Sequence, residues 1–212
     1  MSKWVLGALL VLAIIAVYIL VGQGLLLKKN TTEAQAVEFA TSELNYRYPG
    51  ASIAIYDVKN TSTTPGESNW LLKSKVVQGP ATLCPNLTIV EMDQKFNFVP
   101  RERLITENCS VLGCRGIQYC IIAYPEEAIL MPLDPERNPS TRTAVTGYTS
   151  GIPEGTAPEA QARHADTLYT PTNNTYFDVW VVDYSYPNAA QSFEVVLNRT
   201  GGTAIESYYR KN

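Results

Sequence analysis

From Trp4 to Leu27 the chain runs for 24 residues without a charge. At 1.5 Å per residue a helix of that length covers a hydrocarbon core of about 30 Å, so the segment reads as a transmembrane helix. Trp4 at one end and Lys28 and Lys29 at the other suit the two membrane interfaces. A cleaved signal peptide, with an apolar region of about 7 to 15 residues and a small-residue cleavage site, is shorter than this block.

Beyond the apolar block the pattern changes to short periodic runs. Thr32 and Gln35 have the spacing of a capping box, and Ala36, Val37, Ala40 and Leu44 form a stripe at helical spacing, predicting a helix from about Thr32 to Tyr46. Pro49-Gly50 ends it. Strands are expected at Ile53–Tyr56, Trp70–Val77 and Thr88–Met92, separated by turn residues. Between Pro125 and Pro158 six prolines and three glycines predict a linker or long surface loop, opened by a short helix at Pro125–Leu130. Thr156 and Glu159 make a second capping box ahead of an alanine-rich run, predicting a helix to about Leu168. Alternation then predicts strands around Phe177–Val182 and Phe193–Leu197, with a last strand at Thr203–Tyr209.

The expected fold is therefore α+β: an N-terminal transmembrane helix followed by antiparallel sheet with packed helices, with room for two αβββ units. The boundaries that follow are a transmembrane anchor at 4–27, a disulfide-containing α+β unit at 30–124, a Pro/Gly-rich loop or linker at 125–155 and a C-terminal α+β unit at 156–212.

Composition narrows the function. Charged residues are 17% of the chain and hydrophobic residues 45%, unlike a disordered sequence. The formal net charge of −3 gives no basic field for counterion release, so nucleic acid is not an expected partner. The pattern N-x-[ST] occurs at Asn30, Asn60, Asn86, Asn108, Asn173 and Asn198, whereas Pro139 disqualifies Asn138. Six sites, where composition alone gives about two, predict N-glycosylation and hence an extracytoplasmic body. Four cysteines, Cys84, Cys109, Cys114 and Cys120, all lie beyond the apolar block and lack a C-x-x-C pair, so two structural disulfides are expected rather than zinc or redox chemistry. Three connectivities are open. Cys84 with Cys109 and Cys114 with Cys120 is favoured, since the second bridge closes a short loop containing Gly116. Charge is balanced around the apolar block, so the sequons and cysteines decide the orientation: a single-pass protein of the cell membrane with Asn30 to Asn212 outside.

Candidate chemistry is sparse. His164 is the single histidine and is expected as a solvated helix residue, turned away from Asp166. Glu126 and Glu127 read as the acidic first turn of a helix rather than an acid and base pair. No catalytic, cofactor-binding or metal-ligating residue is assigned, and no cofactor is expected. Thirteen tyrosines are many, and Tyr46, Tyr48, Tyr176, Tyr184, Tyr186, Tyr208 and Tyr209 fall near element ends, where they suit half-buried strands or a binding surface. The expected function is a non-enzymatic binding module of the cell surface, attached to the membrane by its N-terminal helix and meeting a protein partner there.

Two resemblances add alternatives. The predicted helix to Leu168, the strands Val179-Trp180-Val181-Val182 and Phe193-Glu194-Val195-Val196-Leu197, and the turn Asn198-Arg199-Thr200-Gly201-Gly202 before Ile205 together resemble a PepSY-type domain over about a quarter of the chain. That resemblance implies a small exported α+β unit that restrains peptidases. Lys3 and Gly7 ahead of the apolar run resemble a pilin-type signal, without the acidic residue usual early in a bacterial pilin helix, and imply a structural subunit of a surface filament.

Overall fold

The structure is a computed structural model and describes residues 31–64, 67–94 and 98–212. The apolar block Trp4–Leu27 and Asn30 lie outside the described residues. Among those described, no helix is long and apolar enough to cross a membrane.

Helix α1 (Glu33–Arg47) forms as its capping residues require. The Thr32 hydroxyl accepts from the Gln35 backbone N–H at 3.3 Å, and Gln35 Oε1 accepts from the Thr32 N–H at 3.0 Å. Ala36, Ala40 and Leu44, four residues apart, are fully buried. They lie on an antiparallel meander of strands β1 (Ser52–Asn60), β2 (Trp70–Gln78), β3 (Asn86–Asp93) and β4 (Val99–Leu104), in that spatial order. Leu72, Val76, Val90 and Met92 face the helix. Strand β4 was not expected from the sequence. It reads V-P-R-E-R-L because an edge strand exposed along most of its length needs no apolar alternation, and an edge tolerates Pro100.

The connection to the second sheet is ordered. Two-residue strands β5 (Thr106–Glu107) and β6 (Ser110–Val111) pair, and a 3₁₀ turn at Leu112–Cys114 follows. The disulfides join Cys84 to Cys109 and Cys114 to Cys120. Helix α2 (Pro125–Leu130) runs into a 3₁₀ turn at Met131–Leu133, and helix α3 spans Pro139–Ser150.

Helix α3 corrects the expectation that 125–155, beyond its opening helix at Pro125–Leu130, is a linker or long surface loop. Pro125 and Pro139 occupy first-turn positions, where the missing N–H is not needed, and the remaining prolines lie outside the two α-helices. The composition P-S-T-R-T-A-V-T-G-Y-T-S is poor in helix formers, but Thr143, Thr149 and Ser150 return their hydroxyls to carbonyls one turn back, and Val145 is buried in the core.

The second sheet is another antiparallel meander, β7 (Glu159–Tyr169), β8 (Thr175–Ser185), β9 (Gln191–Asn198) and β10 (Ala204–Lys211). The predicted helix to Leu168 is therefore strand β7. Its alanines look helical, but they lie in register with β8 from Glu159↔Ser185 to Tyr169↔Thr175, and this long pairing outweighs alanine's helix propensity. The first four-stranded sheet is thus preceded by one helix and the second by two, rather than the chain forming two αβββ units, within the expected α+β class. Residues Val179 to Val182 are buried on both faces of their sheet. Trp180, Val182, Tyr184, Phe193, Val195 and Leu197 pack on Ile122, Ile129, Leu130 and Val145, whereas Val179, Val181 and Val196 pack on Ala165 and Leu168. Two-sided burial explains the unbroken apolar run in β8.

The two sheets are tied together. Lys75 of β2 pairs with Glu126 of α2 at 2.8 Å, the Ala160 N–H donates to Ala81 O at 3.3 Å, and Leu83 and Cys84 pack against the second core.

Candidate binding site

Of the five sequons within the described residues, Asn60, Asn108, Asn173 and Asn198 are exposed, and Asn86 is half-buried at the start of β3. Asn173 stands in the turn between β7 and β8 with φ +70°. These asparagines are scattered over turns and strand ends and do not form one site.

His164 lies on β7, not on a helix. Residues two apart on a strand share a face, so Asp166 Oδ1 comes within 3.6 Å of its Nδ1, while Nε2 is 2.8 Å from Asp178 Oδ1. Arg199 reaches the same Asp178 oxygen at 3.1 Å, and the imidazole stands edge-on to Trp180. Hydrogen bonds from His164 and then from Arg199 hold the Asp178 carboxyl below its ordinary pKa. This is an exposed polar row across β7, β8 and the turn after β9, and the partners of His164 in it are carboxylates and an indole rather than a nucleophile.

Glu126 and Glu127 do form the first turn of α2. Glu127 Oε2 accepts from the backbone N–H groups of Ala123 and Tyr124 at 2.7 and 2.9 Å, and burial pushes its carboxyl pKa up. Among the described residues no group of three or more His, Cys, Asp or Glu side chains is arranged to hold a metal.

A cavity of about 690 Å³ lies beside the Cys114–Cys120 loop, lined by Cys114, Ile117, Met131 and Arg137 among others. Its guanidinium is occupied. Arg137 donates to Gly201 O at 2.6 Å, to Cys114 O at 2.7 Å, to Gln118 O at 3.3 Å and to Ile117 O, so it serves as a clamp holding the disulfide loop to the turn before β10.

A more suggestive surface lies at the edge of the second sheet. Tyr148 of α3, Tyr186 after β8, Phe193 of β9 and Tyr209 of β10 converge, with ring centroids of Tyr148 at 6.3, 6.0 and 6.1 Å from Tyr186, Phe193 and Tyr209 respectively. Phe193 and Tyr209 meet edge to face at 5.2 Å. Beside this cluster is a groove of about 400 Å³ lined by Tyr148 and Tyr186 together with Ala190, Gln191, Lys211 and Asn212. Known protein families, characterised proteins and solved structures yield no match to this chain. The groove must therefore be read on its own geometry.

Tyr148 Oη donates to Gln191 O at 2.8 Å, which fixes the central ring. Burial, then the neighbouring Tyr186 and Asp183, raise the Tyr148 pKa, so the phenol stays neutral and keeps its donation to Gln191 O. Tyr209 is 59% exposed and lies on β10, an edge strand whose outer side is unpaired in the sheet order. Rigid rings with polar tips beside a ladder edge suit contact with a ligand. Tyr186 and Tyr209 were among the tyrosines singled out in the sequence. Tyr148 was missed because its segment reads as loop, and Phe193 because alternation marks it only as core.

Proposed function

We propose that this protein is an exported, single-pass membrane-anchored and N-glycosylated binding module without enzymatic activity, and that its ligand lies in the groove lined by Tyr148 and Tyr186, beside the exposed Tyr209. The cluster of four aromatic rings from α3, β9, β10 and the β8–β9 turn, two of which line the groove, carries the reading. The uncharged block Trp4–Leu27, the sequon excess and the two disulfides support the location. The test is to display the detergent-solubilised full chain on glycan and peptide arrays beside Tyr209→Ser and Tyr186→Ser variants. Selective loss of bound ligands in both variants, at an unchanged melting temperature, is expected. Ligand profiles identical to the parent chain would remove the groove from the function.

The reading as a regulator of exported peptidases draws on the likeness to PepSY-type domains. Its strand and turn residues fall in β8, β9 and the turn at 198–202, but the segment to Leu168 is strand β7 rather than helix. Inhibition of a co-exported peptidase by the purified chain would make that the better reading.

A further inference from the structure

Four chain steps separate Leu27, the last residue of the apolar block, from Thr31. Each step covers at most about 3.6 Å, so Thr31 lies within about 14 Å of the end of that block. Thr31 is fastened to the first sheet: its carbonyl accepts from Trp70 Nε1 at 2.7 Å and its hydroxyl from Gln94 Nε2 at 3.0 Å. Gln94 Oε1 in turn accepts from the Trp70 backbone N–H at 3.1 Å. The start of β2, the residue after β3 and the approach to α1 are thereby closed into one end of the sheet.

That end presents apolar side chains to solvent. Phe39 of α1 is 48% exposed and packs on Phe98 with ring centroids 4.9 Å apart, and Val99 beside it is 59% exposed. Phe98 has φ +54°, a backbone conformation that bulky residues rarely adopt, and the Phe98 N–H donates to Asp93 O at 3.0 Å.

We propose that this end of the first sheet rests on the lipid surface, with Phe39, Phe98 and Val99 in the phospholipid headgroup layer and the strands standing away from the bilayer. The proposal rests on reading Trp4–Leu27 as a spanning helix. The headgroup zone adds about 5 to 8 Å on each side of the hydrocarbon core, so a residue pinned within 14 Å of the core cannot carry the sheet far from it. Aromatic rings settle at that depth, and the short, fastened connection brings the bilayer to this surface ahead of any soluble partner. The Thr31 clamp thus converts a tether into a seat of fixed orientation, with the second sheet and its groove on the side away from the lipid.

The test uses the full chain reconstituted in phosphatidylcholine vesicles. Every described cysteine is disulfide-bonded, so a spin label on Val99→Cys can be compared with one on Ser52→Cys, at the opposite end of the strands. Relaxation by oxygen, which concentrates in lipid, is expected to exceed relaxation by an aqueous nickel chelate several-fold more at position 99 than at position 52. Trp70→Phe, which keeps a ring but deletes the bond to Thr31, is expected to shrink that difference. Where the cysteine variant misfolds, Val99→Trp should add emission that brominated phosphatidylcholine quenches beyond the quenching of the native tryptophans, and the emission added by Ser52→Trp should not be quenched. Equal values at the two positions, in a chain that survives alkaline carbonate washing, overturn the seat while leaving the anchor. Release of the chain by carbonate overturns both.

Discussion

Asn138 offers the sharpest test of how the second core is assembled. Its side chain is 4% exposed and satisfies three backbone groups from separate elements. Nδ2 donates to Met131 O at 2.8 Å and to Gly202 O at 2.9 Å, and Oδ1 accepts from the Ala204 N–H at 2.8 Å. The amide thus joins the 3₁₀ turn after α2, the first turn of α3 and the start of β10. Replacing it with alanine takes the partner from Gly202 O and the Ala204 N–H, each costing about 1 to 3 kcal/mol, while Met131 O keeps its bond from the Asp134 N–H. Water admitted to the vacated space offsets part of this, so a net loss of about 2 to 4 kcal/mol is expected, a large share of the about 5 to 15 kcal/mol typical of a domain. Asn138→Asp is nearly isosteric yet replaces the doubly donating NH₂ with an oxygen aimed at two carbonyls. At neutral pH it should be worse than alanine. The introduced carboxyl has its pKa raised by burial, so the folded state holds the proton more tightly than the unfolded chain, and the variant should lose stability as the pH rises through that raised value. Urea unfolding followed through the buried Trp180, whose Nε1 donates to Ile122 O, measures both effects. An alanine variant within about 1 kcal/mol of the parent, or an aspartate variant no worse than alanine at neutral pH, would refute the reasoning.

Three further outcomes are expected. Glu127 has a raised pKa, so deprotonation costs stability as the pH rises from the ordinary carboxylate range through the raised value; Glu127→Gln keeps an acceptor for Ala123 and Tyr124 and should flatten that slope in urea midpoints between pH 4 and 7. In Gly202→Ala the new Cβ would collide with Met131 Cε and Cγ at a residue with φ +64°, so a loss of about 1 to 3 kcal/mol is expected in thermal melts, with Gly113→Ala, where nothing lies within 4 Å, as a near-neutral control. Reducing the Cys84–Cys109 bridge, which closes 25 residues, should cost about 3.5 kcal/mol and the six-residue Cys114–Cys120 bridge about 2 kcal/mol in the loop-closure view; single Cys-to-Ser pairs measured by urea midpoint separate them.

Legibility in the sequence followed the locality of the forces. Helix α1 could be read because its cap and its buried Ala36, Ala40 and Leu44 are neighbours along the chain, and β2, β3 and β9 because each alternates or buries a run of its own. Strand β7 was misread because Thr156 and Glu159 imitate a cap, while the pairing with β8 that decides its state involves residues up to 26 positions away. Helix α3 was hidden by threonines and prolines that are acceptable only because Val145 has a core to enter and Pro139 a first turn to occupy. The groove is nonlocal by construction. Tyr148 and Tyr209 are ordinary surface tyrosines until α3 lies across β9 and β10.

The disulfides also decide what a protease could do to this surface. Arg101, Arg103 and Arg115 are exposed basic residues, the kind a trypsin-like enzyme cuts after. Arg101 and Arg103 fall inside the loop closed by Cys84 and Cys109, and Arg115 inside the loop closed by Cys114 and Cys120. A nick at any of the three leaves the sheet nearest the N-terminus and the sheet carrying the aromatic groove joined by a sulfur bridge. Damage of this kind would be silent under oxidising conditions and would become a severance only when a reductant arrived.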